Sequence, residues 1–197
     1  MNNFKVIDFR FASKDDVYDQ RFVLPNMWSR PYEYKYVYSF IKEHKFKSKL
    51  KPKVHNSSWG FEGVHVTFRD ILDEIGECIH SDIVKSEFRD TYYYDITTEN
   101  KEFENNFDFV INVSTIEHIL DKGDRIKAIE SLFKQVNIGG YLILTFDYPR
   151  VNLSEIEELI DHKCKESSNK LNGNNSIVKN ERYGNLNIVY LILNRIQ

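Results

Sequence analysis

The stretch Phe107-Asp108-Phe109-Val110-Ile111-Asn112-Val113-Ser114-Thr115-Ile116-Glu117-His118-Ile119 decides the fold. One acid opens a nearly continuous apolar run, small hydroxyl residues close it, and Glu117-His118 follows at once. A run this apolar fits a strand covered on both faces, as strands of parallel sheets are. Farther along, Gly139-Gly140-Tyr141-Leu142-Ile143-Leu144-Thr145 supplies a second such strand. Between the two, Ile126, Ile129, Phe133 and Val136 fall on one helical stripe, so the unit reads strand, helix, strand.

The same alternation extends outward in both directions. Val54 to Ser57 reads as a short strand, and Val64, Phe68, Ile71, Leu72 and Ile75 form one helical face that Gly76 ends. Glu77 to Ile83 and Thr91 to Ile96 read as the second and third strands, with a short helical segment between them. Phe107 to Ser114 is the fourth strand and Tyr141 to Tyr148 the fifth. Ser154 with Glu157 three residues on predicts a capping box, opening a helix that carries Ile156, Leu159, Ile160 and Cys164. After a polar loop from Ser167 to Asn175, Ser176 to Arg182 and Leu186 to Ile196 are expected to form an antiparallel hairpin about Tyr183-Gly184-Asn185.

Residues 1–49 stand outside this pattern and are expected to be a cap segment at the carboxyl end of the sheet, ahead of a domain over 50–197. Lys5 to Phe11 has strand character, and Pro31 to His44 reads as a helix with proline at its start. Six lysines between Lys42 and Lys53 make a local basic stretch, read as a solvated connector or a meeting place for a phosphate-bearing substrate.

Composition narrows the function classes. The 197 residues suit one domain, with 41% hydrophobic and 29% charged residues. A formal charge of -3 and a pI near 6.1 give no global basic field for nucleic acid, which favours a small-molecule or glycan-type substrate. There is no 18-residue apolar stretch, and the first residues lead into no signal segment, so the expectation is a cytoplasmic protein without a membrane partner. Cys78 and Cys164 lack C-x-x-C spacing, which implies neither a disulfide framework nor a zinc site. No metal is expected.

In order and spacing, the two apolar strands with Glu117-His118 and Gly139-Gly140 resemble the second half of the class I S-adenosylmethionine-dependent methyltransferases. The resemblance covers roughly residues 50 to 196. It implies an α/β, Rossmann-like sheet of seven mostly parallel strands with an antiparallel C-terminal hairpin and helices on both faces. It also implies S-adenosylmethionine as cofactor, held at the carboxyl ends of the strands.

On that resemblance the loop after the first strand, Asn56-Ser57-Ser58-Trp59-Gly60-Phe61-Glu62-Gly63, approaches the cofactor. It departs from the family pattern: Asn56 replaces the usual acid, Ser58 the first glycine, and Trp59 sits mid-loop. Gly60 and Gly63 remain as places of close backbone approach, and a structural turn anchored by Trp59 is the other reading. Asp82 followed by Ile83 ends the second strand, where a carboxylate accepts ribose hydroxyls, and Asp95 with Ile96 matches the adenine side. For either acid, service as a local cap is the alternative. Ser114 completes the cofactor set. His118 is the candidate general base, with Glu117 as its orienter and Asp147 and Tyr148 lining the same cleft. A divalent ion gathered by Glu117, His118 and Asp121 is a minor reading. Trp28, Arg30, Glu33 and Tyr34 are candidates for a lid, Trp28, Arg30 and Tyr148 being those expected to meet substrate.

The expected function is methyl transfer to a small molecule or sugar, such as a cell-surface glycan precursor. The alternatives are a catalytically inactive scaffold subunit and, third, a nucleic-acid methyltransferase. The acceptor atom and the oligomeric state are not encoded in any motif.

Overall fold

The computed structural model describes residues 4–13, 15–17, 19–22, 29–44, 51–58, 66–86, 90–164, 178–180 and 184–196. At its centre is a seven-stranded sheet built from β1 (Phe4–Phe11), β2 (Lys53–Ser57), β3 (Glu77–Asp82), β4 (Tyr92–Tyr93), β5 (Phe107–Val113), β6 (Val136–Asp147) and, last in the chain, β9 (Ile188–Arg195). The order across the sheet is β1-β9-β6-β5-β2-β3-β4. From β6 to β4 every neighbour is parallel, and β9 runs antiparallel to both β6 and β1. All seven residues of β5 are buried, as its apolar run predicts for a strand covered on both faces. The order reverses between β2 and β5, which leaves a crevice at their carboxyl ends.

Helices α1 (Arg30–His44), α2 (Val66–Ile75), α3 (Lys122–Gln135) and α4 (Leu153–Lys163) cover the sheet. One core cluster packs α3 and α4 on one face through Ile129, Leu132, Ile156 and Ile160. The other packs α1 and α2 through Val37, Ile41, Phe68 and Leu72 against Phe109, Ile111 and Ile143. Both faces are therefore sealed, which is what parallel strands require.

Several sequence expectations change in detail. The C-terminal hairpin is present as a separate two-stranded sheet, β7 (Val178–Asn180) with β8 (Gly184–Leu186), and the outer neighbour of β9 is β1. The stretch 1–49 therefore supplies a strand to the main sheet as well as α1. A bulge makes this possible: the register slips between Val6 and Asp8, and Ile7 stands 42% exposed. The extra residue inverts the alternation, so Phe4 and Val6 before it and Phe9 and Phe11 after it all face the core.

The third strand shrinks to Tyr92–Tyr93, and the described residues between β3 and β4 form no helix. The fifth strand starts early, at Val136, because α3 passes directly into it. Gly139 has φ 85°, and a Cβ on Gly140 would lie 2.7 Å from the Asp108 carbonyl oxygen. The glycine pair thus serves a positive φ and a close backbone approach inside β6. Asn152, not Ser154, caps α4, its side chain accepting from the Ser154 amide. The loop expected over 167–175 lies outside the described residues, as do Lys45, Lys47 and Lys49 of the clustered lysines; Lys51 and Lys53 donate locally to the Asp73 carbonyl and to Asn106.

Candidate functional site

The crevice holds a cavity of about 420 Å³ at the carboxyl ends of β2, β3 and β5, within the size range of small-molecule sites. Two walls come from loop turns that force the backbone into the left-handed region: Ser58 has φ 58° and Ser114 φ 42°. Non-glycine residues there are uncommon and cluster at functional sites. Each turn is held by its neighbour strand, Ser58 N–H donating to the Ser81 carbonyl at 2.7 Å and Ser114 N–H to the Thr145 carbonyl at 2.8 Å.

Of the residues read from sequence, Arg30, Asn56, Ser58, Asp82, Ile83, Asp95, Ile96, Ser114 and His118 line this one cavity. Asp82 and Asp95 approach it from neighbouring strand ends, since Asp82 pairs in register with Tyr93, two residues before Asp95. Each commits one oxygen to its own loop: Asp82 Oδ1 accepts the Val84 amide at 3.0 Å, and Asp95 Oδ1 accepts the Thr97 amide at 2.9 Å and hydroxyl at 2.7 Å. Local capping and a place at the cavity are both present.

Ser57 is turned into the sheet, donating to the Ile111 carbonyl at 2.8 Å and accepting from Asn112 Nδ2 at 3.0 Å. It ties β2 to β5 and does not line the cavity. Tyr148 packs edge-on against Phe11, with ring centroids 5.6 Å apart. Glu117 and Asp147 lie behind the lining rather than in it. Trp28, Trp59, Gly60 and Gly63 lie outside the described residues. Asp121 caps α3 by accepting the Asp124 amide, so it does not join Glu117 and His118. Among the described residues the group of converging metal-type ligands is instead Asp73, Cys78 and His80.

The sequence placed Glu33 in a lid; in the structure it is fully buried at the centre of a clamp. Its Oε1 accepts the Ser114 hydroxyl at 2.6 Å and the Thr145 hydroxyl at 2.5 Å. Its Oε2 accepts the Ser29 hydroxyl at 2.5 Å and Arg30 Nη1 at 2.8 Å. Burial alone would raise its pKa, but the Arg30 charge and these hydroxyls hold the carboxyl below its usual range. The start of α1 is thereby bolted to the ends of β5 and β6. Arg30, paired to Glu33, is aimed at the cavity. Tyr34 and Phe68, both in the lining, stack at 3.9 Å with an interplanar angle of 3° and join α1 to α2 as an aromatic wall. Phe68 and Thr97 enter the site without any signal beyond helical spacing or a turn position.

Near this clamp, Glu117 is 4% exposed and neither of its carboxyl oxygens has a hydrogen-bond partner among the described residues. Burial, with Glu33 and Asp147 nearby, pushes its pKa up to about 8. Burial and Glu33 likewise push Asp147 up to about 6. His118 moves the other way: burial, then the Arg150 and Arg30 charges, lowers its pKa below the usual 6.5. At neutral pH the site therefore presents a neutral imidazole beside a protonated Glu117.

Comparison of the sequence with family models and with curated proteins gives no match. Solved structures do match. The N1-methyltransferase for 1,6-didemethyltoxoflavin from Burkholderia thailandensis, solved with that compound and S-adenosylhomocysteine bound, aligns with TM-score 0.57 at 9% identity, over 84% of this chain and 79% of that one. The N-methyltransferase NodS from Bradyrhizobium japonicum aligns with TM-score 0.54 at 9% identity, over 83% and 96%. A TehB-like methyltransferase from Corynebacterium glutamicum gives 0.54 at 10%, over 80% and 86%. This is the class I S-adenosylmethionine-dependent methyltransferase fold. At such identities the likeness speaks for the fold, and chemistry must be argued from the site. Within this methyltransferase fold, an N-terminal strand forms the edge beyond the antiparallel one. Among the described residues no helix is long and apolar enough to cross a membrane.

Proposed function

We propose that the chain is a methyltransferase that moves a methyl group from S-adenosylmethionine to a small-molecule or sugar acceptor. One observation carries the reading: Asp82, Asp95, Ser114, Arg30 and His118, from four separate parts of the chain, converge on a single cavity at the topological switch point. When bound, the cofactor supplies a methyl group activated on a sulfonium.

The residues present fit such a group. Asp82 accepts ribose hydroxyls, Asp95 accepts from the adenine amino group, and Ile83 and Ile96 supply apolar surface for the ring. Arg30, held by Glu33, pairs with a carboxylate. His118 in its neutral form takes the proton from an acceptor that must lose one. Glu117 keeps its proton at neutral pH and so adds no charge behind His118, and Asp147 bounds the same region. The activity of His118 as base falls as pH drops through its lowered pKa, because the imidazolium has no lone pair to offer.

The test is incubation with methyl-labelled S-adenosylmethionine and a panel of amino and hydroxy sugars and small amines. The expected result is label in an acceptor, with turnover cut ~10²-fold in His118→Ala while cofactor affinity stays within twofold. Cofactor binding with no label transferred to any acceptor would favour the scaffold reading instead.

A further inference from the structure

Below the cavity floor runs a chain of polar contacts that the proposed chemistry does not use. Asn56 on β2 and His80 on β3 are register partners, both almost fully buried. Asn56 Nδ2 lies 3.1 Å from His80 Nδ1. On the other side of the ring, His80 Nε2 lies 2.9 Å from Oδ1 of Asp73, on α2, whose side chain is 45% exposed.

The chemistry of the three groups fixes each in turn. A carboxylate offers only lone pairs, so the proton of the neutral imidazole sits on Nε2, facing Asp73. Nδ1 is then bare and must accept. The only part of the Asn56 side chain that donates is its NH₂, so that end faces His80 and the oxygen faces away from it. Asn56 also lines the cavity, and no donor among the described residues reaches its Oδ1.

We propose that Asp73 and His80 are positioning residues that hold the Asn56 amide with its oxygen toward the cavity, where it accepts a hydrogen bond from the ammonium group of S-adenosylmethionine. The inference rests on the methyltransferase reading. The ligand atom follows by assignment of donors: Asp82 is given to the ribose hydroxyls and Asp95 to the adenine amine, which leaves the ammonium of the amino-acid part. The device also accounts for an amide at a strand end where a carboxylate resembles the family pattern. A carboxylate there would compete with Asp73 for the single imidazole proton.

The charged and titratable groups around His80 are Asp73, Asp70 and Arg69 on α2, Cys78 two residues before it on β3, and His55 on β2. Burial, against the pull of Asp73, keeps its pKa below the usual value.

The experiment has two arms, both on the full chain with EDTA present, so that no metal on Asp73, Cys78 and His80 takes the Nε2 lone pair. Nitrogen-detected NMR of ¹⁵N-histidine protein at pH 7.5 should show His80 protonated at Nε2 alone. Calorimetric titration with S-adenosylhomocysteine should show Asp73→Ala weakening binding ~10-fold, with no further loss beyond twofold when added to Asn56→Ala. Methylthioadenosine, which lacks the amino-acid part, should bind wild type and Asp73→Ala within twofold of each other.

Protonation at Nδ1, wild-type affinity in Asp73→Ala, losses that multiply in the double variant, or equal losses for both ligands would each overturn the proposal. A merely structural role for Asp73 predicts those last two outcomes. Failure of wild type to bind S-adenosylhomocysteine while His80 still shows the Nε2 proton would instead remove the methyltransferase reading, and this ligand assignment with it.

Discussion

Glu117→Gln should stabilise the protein, by an amount that depends on pH in a defined way. Glu117 is 4% exposed and its carboxyl has no hydrogen-bond partner among the described residues, and its pKa is raised from 4.5 to about 8. Above pH 4.5 the unfolded chain releases this proton while the folded one keeps it, so the unfolded state binds fewer protons and stability declines as pH rises. The decline runs until the folded carboxyl itself ionises near pH 8. From pH 4.5 to 7 the cost accumulates at ~1.4 kcal/mol per pH unit, reaching ~3 kcal/mol. Glutamine has nearly the same shape and no proton to lose. Urea unfolding of wild type and variant at pH 4.5, 6, 7 and 8.5 should therefore show no difference at the lowest pH, a gap of ~3 kcal/mol at pH 7, and no further widening beyond about 8. A gap that is flat with pH, or a variant less stable at pH 7, would refute the account of Glu117 as a carboxyl kept neutral by burial.

Two other substitutions separate clamp from cavity. Glu33→Ala leaves the half-buried Arg30 without its carboxylate and the Ser29, Ser114 and Thr145 hydroxyls without their acceptor, so it should cost ~3 kcal/mol and lower the melting temperature by ~10 °C, read by calorimetry. Asp82→Ala should weaken S-adenosylhomocysteine binding by ~1.5–3 kcal/mol, the range for a hydrogen bond to a charged group, with little change in melting; normal binding with early melting would make Asp82 a cap only.

The sheet was legible because β5 and β6 carry nearly continuous apolar runs separated by a helical stripe, and a pattern of that length leaves few alternatives. Asp82 and Asp95 were legible because one ends a strand and the other closely follows one, and strand ends in an open parallel sheet share one crevice. Glu33 was not. It sits among Tyr32, Tyr34 and Tyr36 in a helix whose aromatics read as packing, and the hydroxyls that hold it lie 81 and 112 residues away at Ser114 and Thr145. The place of β1 was hidden for a related reason. Its pairing with β9 joins opposite ends of the chain, and the bulge at Ile7 breaks the alternation that would announce a half-buried strand.

The central claim is that the cavity formed by Asn56, Ser58, Asp82, Asp95, Ser114 and Arg30 takes S-adenosylmethionine. Calorimetric titration of the purified chain with S-adenosylhomocysteine at pH 7.5 tests it most directly. The account predicts a saturable heat with one ligand per chain, and ~2.7 kcal/mol of added stability when ligand reaches ~100 times its dissociation constant. No heat and no shift in melting at millimolar ligand would contradict it.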